Sequence, residues 1–106
     1  MTYHIFVSGR VQGVGYRRYA QKQALALSLK GWTRNLLDGR VEVIAQGEEK
    51  VLDEYCEKLK RGPTFSLVRE VMVKAVDESE MSGEMNILNG SDSEKFEIRP
   101  DMEITK

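Results

Sequence analysis

Tyr3-His4-Ile5-Phe6-Val7-Ser8-Gly9-Arg10-Val11-Gln12-Gly13-Val14-Gly15-Tyr16-Arg17-Arg18-Tyr19-Ala20 changes its periodicity midway, and that change decides the fold. Up to Ser8 the residues alternate, with Tyr3, Ile5 and Val7 on one side and His4, Phe6 and Ser8 on the other, the period of a strand. From Tyr16 the apolar spacing becomes helical. Tyr16, Ala20, Ala24 and Leu27 share one face, flanked by Tyr19 and Leu25. Between the two lies a loop with three glycines, Gly9, Gly13 and Gly15. The chain therefore begins as strand, glycine-rich loop and helix.

The rest of the chain extends this pattern. Gly31 suits a helix C-cap, so the first helix is expected to stop near it. Trp32–Leu36 is a short strand, and Asp38-Gly39 is a strong hairpin signal. Val41, Val43 and Ala45 alternate on the next strand, which Gly47 breaks. Val51, Tyr55 and Leu59, with Leu52 and Cys56 beside them, form a second amphipathic helix that ends at Gly62-Pro63. Val71, Val73 and Ala75 mark a fourth strand, Ser79–Ser93 a polar loop, and Phe96 with Ile98 a fifth strand stopped by Pro100. The order is βαββαβ plus a last strand. Two helices can each bury an apolar stripe only against the same sheet face, which gives an α+β two-layer sandwich. The simplest topology is ferredoxin-like: an antiparallel sheet with two helices on one face. One domain over residues 1–100 and a C-terminal tail over 101–106 are expected.

Composition narrows the class further. A chain of 106 residues holds one ordinary domain and leaves no room for a separate cofactor domain. No apolar run reaches the roughly 20 residues of a membrane helix, and the N-terminus reads as a strand rather than a leader. Cys56 is the only cysteine, so an internal disulfide is excluded and a reducing, cytoplasmic setting is expected. With one histidine, His4, a tetrahedral Cys/His zinc site is excluded too. The net charge of −1 is unevenly spread: residues 1–47 carry +5 and the remainder −6. A basic half favours an anionic ligand, although solvated charges spaced by chance give the same pattern.

The loop Gly9–Arg17 gives that ligand a place. The first N–H groups of a helix lack internal partners and carry partial positive charge. Glycines let the preceding backbone curl so that further N–H groups converge on one point, which is a nest for phosphate. Arg17, in the first helical turn, is able to add a two-pronged guanidinium contact. The loop matches neither GxxxxGK[ST] nor GxGxxG. From the residues alone, a tight strand–helix connection with a solvated arginine stands equally open. The second candidate is Asn35, whose amide both donates and accepts and is able to orient a water. From the local sequence alone, the turn chemistry of its hairpin accounts for it better.

Gly9–Arg17 together with Gly31-Trp32-Thr33-Arg34-Asn35-Leu36 closely resembles the acylphosphatase family, with its GRVQGVxxR loop and GWxxN strand. Gly47-Glu48-Glu49, Leu59–Gly62-Pro63, Val68–Val73 and Phe96–Arg99 are also similar, so the likeness spans residues 3–78 and 94–99. The resemblance implies a ferredoxin-like fold and a metal-free, cofactor-free hydrolase of the carboxyl-phosphate bond. The family's catalytic arginine falls on Arg17 and its asparagine on Asn35. Its phosphate-binding amides fall on Gln12, Gly13, Val14, Gly15, Tyr16 and Arg17. The implied partners are a small acyl phosphate and inorganic phosphate, with no nucleic acid and no membrane, in a monomer. Leu37 stands where many bacterial relatives have proline, the loop at Ser79–Ser93 looks longer than usual, and a tail follows Pro100. In relatives, that C-terminal region packs near the phosphate loop.

The remaining chemistry-bearing residues read as structural. His4 sits in mid-strand, Cys56 lies on a packing face, Asp38 is a turn residue and Trp32 belongs to a core. Arg18, Lys22 and Arg34 read as solvated. The alternative is a non-catalytic anion- or RNA-binding module of the same fold. RNA readers stack bases on sheet aromatics, and Arg40–Gln46 has none.

Overall fold

A computed structural model of the chain describes residues 1–77 and 96–101. The polar loop at Ser79–Ser93 and the tail beyond residue 101 lie outside the described residues. The elements follow the expected order: β1 (Thr2–Arg10), α1 (Tyr16–Ala26), β2 (Lys30–Asn35), β3 (Val41–Gln46), α2 (Glu49–Arg61), β4 (Leu67–Val76) and β5 (Phe96–Ile98). Among the described residues no helix is long and apolar enough to cross a membrane.

The five strands form one sheet in the order β4-β1-β3-β2-β5. Four of them pair antiparallel, with Ile5 opposite both Val43 and Val73, and Thr33 also opposite Val43. The expected all-antiparallel sheet stops there, because β5 runs parallel to β2. The chain leaves one edge at the end of β4 and returns to the other edge. The pairings make β5 parallel to β2 and opposite in direction to β4.

Alternation along the strands sends Tyr3, Ile5, Val7, Val41, Val43 and Ala45 toward the helices. There they meet Tyr16, Ala20 and Ala24 of α1 and Leu52, Tyr55, Cys56 and Leu59 of α2. Each large side chain buried in this core contributes about 1.5–3 kcal/mol. The tyrosines also join the two helices through their hydroxyls. Tyr16 donates to Leu59 O at 2.6 Å, Tyr19 to Lys58 O at 2.7 Å and Tyr55 to Ala20 O at 2.9 Å. The first satisfies a last-turn carbonyl of α2 whose helical partner position is Pro63, which has no N–H, and the second adds to the bond that Gly62 N already makes to Lys58 O. Burial raises the Tyr16 and Tyr55 phenols well above their ordinary range, so both stay neutral donors.

One expectation is corrected. The first helix stops at Ala26 rather than near Gly31. Ser28 takes the left-handed conformation (φ 59°), Leu29 N donates to Ala24 O, and Ser28 N donates to Leu25 O. This is a Schellman-type ending with Leu29 buried beyond it. Gly31 instead lies inside β2 at φ 144°, where a Cβ would stand 1.8 Å from Ile44 O, so it is glycine for close strand approach. Trp32 is a core residue, as expected. It is buried, but on the sheet face away from the helices, opposite Ile44, with the guanidinium carbons of Arg34 and Arg99 at 5.1 and 4.5 Å from its ring centroid.

Candidate active site

The glycine-rich loop joins the end of β1 to the start of α1. Gly13 and Gly15 are both left-handed, at φ 77° and 81°, and a Cβ at either would meet nothing within 4 Å. These glycines serve conformation, not packing. Gly15 caps α1 without any side-chain hydrogen bond, and the first turn holds no acidic residue. The first helical hydrogen bond runs from Tyr19 N to Gly15 O, so the positive end of α1 faces the loop without a side-chain cap.

Gln12 fixes this loop to its neighbour. Its Nε2 donates to Leu36 O at 2.8 Å and to Arg40 O at 2.9 Å, the two residues that close the β2–β3 hairpin. The hairpin itself is held by Leu36 N donating to Arg40 O at 2.8 Å. Gln12 therefore sets the distance between the loop and Asn35, the last residue of β2.

Asn35 is 7% exposed and sits on the helix side of the sheet, opposite Val41. Its Nδ2 donates to Asp101 Oδ1 at 3.1 Å. Its own Oδ1 is buried with no hydrogen-bond partner among the described residues. Arg17, in the first turn of α1, reaches the same place: its Nη1 pairs with Asp101 Oδ1 at 3.0 Å and donates to Arg99 O at 3.0 Å. The parallel strand β5 brings both C-terminal partners in, since Arg99 N donates to Thr33 O at 2.8 Å and continues the β2–β5 ladder. One oxygen thus accepts from the two side chains singled out in the sequence.

A cavity of about 230 Å³ opens here, lined by Val11, Gly13, Gly15, Tyr16, Arg17, Arg18, Asn35 and Ile98. Of the residues expected at the site, Gly13, Gly15, Tyr16, Arg17 and Asn35 line it. Gln12 and Val14 do not: the first turns its side chain to the hairpin, and the second packs against the core. Ile98, Asp101 and the carbonyl of Arg99 were not anticipated as parts of the site. The only hint in the sequence was the C-terminal segment that follows the last strand. Arg18, expected as merely solvated, also lines the cavity.

The other titratable groups are engaged elsewhere. His4 Nε2 bonds Glu42 Oε2 at 2.6 Å on the outer sheet face. Cys56 is buried on α2, where burial, and then the neighbouring Asp53, pushes its thiol up to about 11. Asp38 bonds the backbone and guanidinium of Arg40, as a turn residue does. Among the described residues no three His, Cys, Asp or Glu side chains converge as a metal site.

The fold is a ferredoxin-like α+β domain in which an uncapped helix start and a glycine-rich loop lie beside an arginine and an amide that converge on one oxygen. The chain belongs to the acylphosphatase family, whose family model matches residues 3–87. It is 49% identical over 77 residues to an acylphosphatase of Thermus thermophilus, covering 73% of this chain and 88% of that one. It is 47% identical over 85 residues to one of Chlorobaculum tepidum, covering 80% and 92%. The fold matches the crystal structure of acylphosphatase from Bacillus subtilis with a TM-score of 0.76 at 36% identity, covering 92% of this chain and 97% of that one.

Proposed function

We propose that this acylphosphatase hydrolyses small acyl phosphates by holding the phosphoryl group in the Gln12–Arg17 loop against Arg17, while Asn35 aims the attacking water. The observation that carries this reading is the convergence of Arg17 Nη1 and Asn35 Nδ2 on a single acidic oxygen beside an uncapped helix start. A phosphoryl oxygen has the same acceptor chemistry as that carboxylate oxygen. The cavity is smaller than the about 300–1,000 Å³ of pockets for drug-sized ligands, and it suits a phosphoryl group with a short acyl arm.

The chemistry asks little beyond position and charge. Water attacks phosphorus in line, the bond from phosphorus to the carboxyl oxygen breaks, and the electron pair leaves with the carboxylate. A phosphoryl oxygen takes the proton that the water loses, so the products are a carboxylate and dihydrogen phosphate. A carboxylate is a good leaving group and needs no general acid. What remains is neutralising the phosphoryl charge and orienting the water. The loop amides and Arg17 serve the first task. In this reading Asn35 Oδ1, which has no donor among the described residues, accepts a hydrogen from the water.

An RNA-binding reading gains little from the outer sheet face. Trp32 is 1% exposed, and Arg40 lies 4.5 Å over the Phe6 ring, so neither aromatic offers a bare face for a base. The buried lone cysteine supports a reducing, cytoplasmic setting, and we take the working unit to be a monomer needing no metal. The test is phosphate release from a small acyl phosphate with a chelator present. Arg17→Ala should lower turnover by at least about 10²–10³-fold and weaken competition by inorganic phosphate. Asn35→Ala should lose turnover to a similar degree but keep that competition. Full activity in Asn35→Ala would remove its water-orienting role, and loss of wild-type activity to the chelator would remove the metal-free mechanism.

A further inference from the structure

The carboxylate found between Arg17 and Asn35 belongs to the chain itself. Asp101 Oδ1 stands 3.0 Å from Arg17 Nη1 and 3.1 Å from Asn35 Nδ2. It lies three residues beyond the last strand, on a segment fixed by Arg99 N bonding Thr33 O and by Arg99 O accepting from Arg17. Its side chain is 62% exposed, whereas that of Arg17 is 30% exposed, so the carboxylate approaches the site from solvent. Arg17 has only donors to offer at this point, and a phosphoryl oxygen needs the same guanidinium.

We propose that Asp101 is a tethered competitor that sets the affinity of the site for phosphate. Inorganic phosphate and the phosphoryl group of the substrate engage Arg17, and the attacking water engages Asn35, after the Asp101 carboxylate leaves them; it returns when product departs. The inference rests on the phosphate-site reading given above. Tethering keeps the competing carboxylate at a high effective concentration. A partly exposed ion pair is weak, so a ligand with more charge and several loop contacts displaces it readily. The competitor therefore tunes binding and does not close the site.

The test compares inorganic phosphate as an inhibitor of wild type, Asp101→Asn and Arg17→Ala, with direct phosphate titration for each. Asp101→Asn keeps the shape and removes the charge. It should bind inorganic phosphate about two- to fivefold more tightly and lower KM for a small acyl phosphate by a similar factor. An unmoved or weaker phosphate affinity in Asp101→Asn overturns the proposal, because Asp101 would then be a bystander or a prop that positions Arg17. Arg17→Ala separates this failure from that of the site. Loss of phosphate binding there, with no tightening in Asp101→Asn, removes the competitor alone. Wild-type phosphate binding in Arg17→Ala removes the phosphate site and the competitor with it.

Discussion

Cys56 is the residue whose chemistry the fold most plainly switches off. It sits among Leu52, Tyr55 and Leu59 on the buried face of α2, and burial raises its thiol to about 11. At pH 8 only about one thiol in a thousand is then ionised, against roughly a quarter for a free cysteine. A thiol-alkylating reagent at that pH should react with the native protein at least about a hundredfold more slowly than with the denatured chain, measured by mass. Comparable rates would mean that the face of α2 opens readily. The reading of Cys56 as packing was available from its position in the apolar stripe. Arg17 and Asn35 were legible for a different reason, since they lie in a motif with family spacing. Asp101 was not legible, because its place depends on the pairing of β5 with β2, and no local pattern in the sequence records that pairing. Gln12 was legible only in part. It was expected as a backbone amide of the phosphate loop, while its side chain does separate work by bonding the hairpin carbonyls of Leu36 and Arg40.

Among the elements, α2 was the easiest to read and α1 the hardest to end. The stripe of α2 is broad, its last turn carries Lys58, Lys60 and Arg61, and Gly62 caps it at φ 70°. The end of α1 misleads because the left-handed residue is Ser28 and a glycine follows three positions later for another purpose. Tertiary packing decides the point: Leu29 has to enter the core, and Lys30 has to begin β2, so the helix turns before Gly31 becomes available. A non-glycine residue in the left-handed region costs about 1 kcal/mol. Ser28→Gly should therefore stabilise the domain by about that amount, raising the thermal midpoint by roughly 4–8 °C without changing turnover. A lower midpoint would indicate that the added freedom of the unfolded chain outweighs the relieved strain. The same substitution at Leu27 has no such rationale, because Leu27 keeps an ordinary φ of −98°.

At the scale of the whole molecule, the sheet has two faces with different tasks. The inner face holds the core and, at its rim, the cavity. The outer face carries a charged cluster centred on Glu42, which is 5% exposed. Glu42 accepts from His4 Nε2 on β1 and from Arg34 Nε on β2, each at 2.6 Å, so three neighbouring strands meet through one carboxylate. Periodicity predicted that these residues share a face but not that they bond, since that depends on the registers His4↔Ile44 and Arg34↔Glu42. Burial pushes the Glu42 carboxyl up, but the hydrogen bonds and charges of His4 and Arg34 outweigh it and hold it below the ordinary value of 4.5. The unfolded chain therefore takes up this proton before the folded one does. The contribution of Glu42 to stability is complete above about pH 4.5 and drains away as the pH falls through the lowered folded value. Glu42→Gln should cost about 2 kcal/mol at pH 7, because it replaces two charge-assisted bonds with weaker ones. It should also flatten the dependence of stability on pH between about 5 and 3, followed by chemical denaturation at each pH. Equal slopes for the variant and the wild type over that window would mean that acid unfolds the protein through other carboxylates, and that the outer-face cluster does not govern its acid limit.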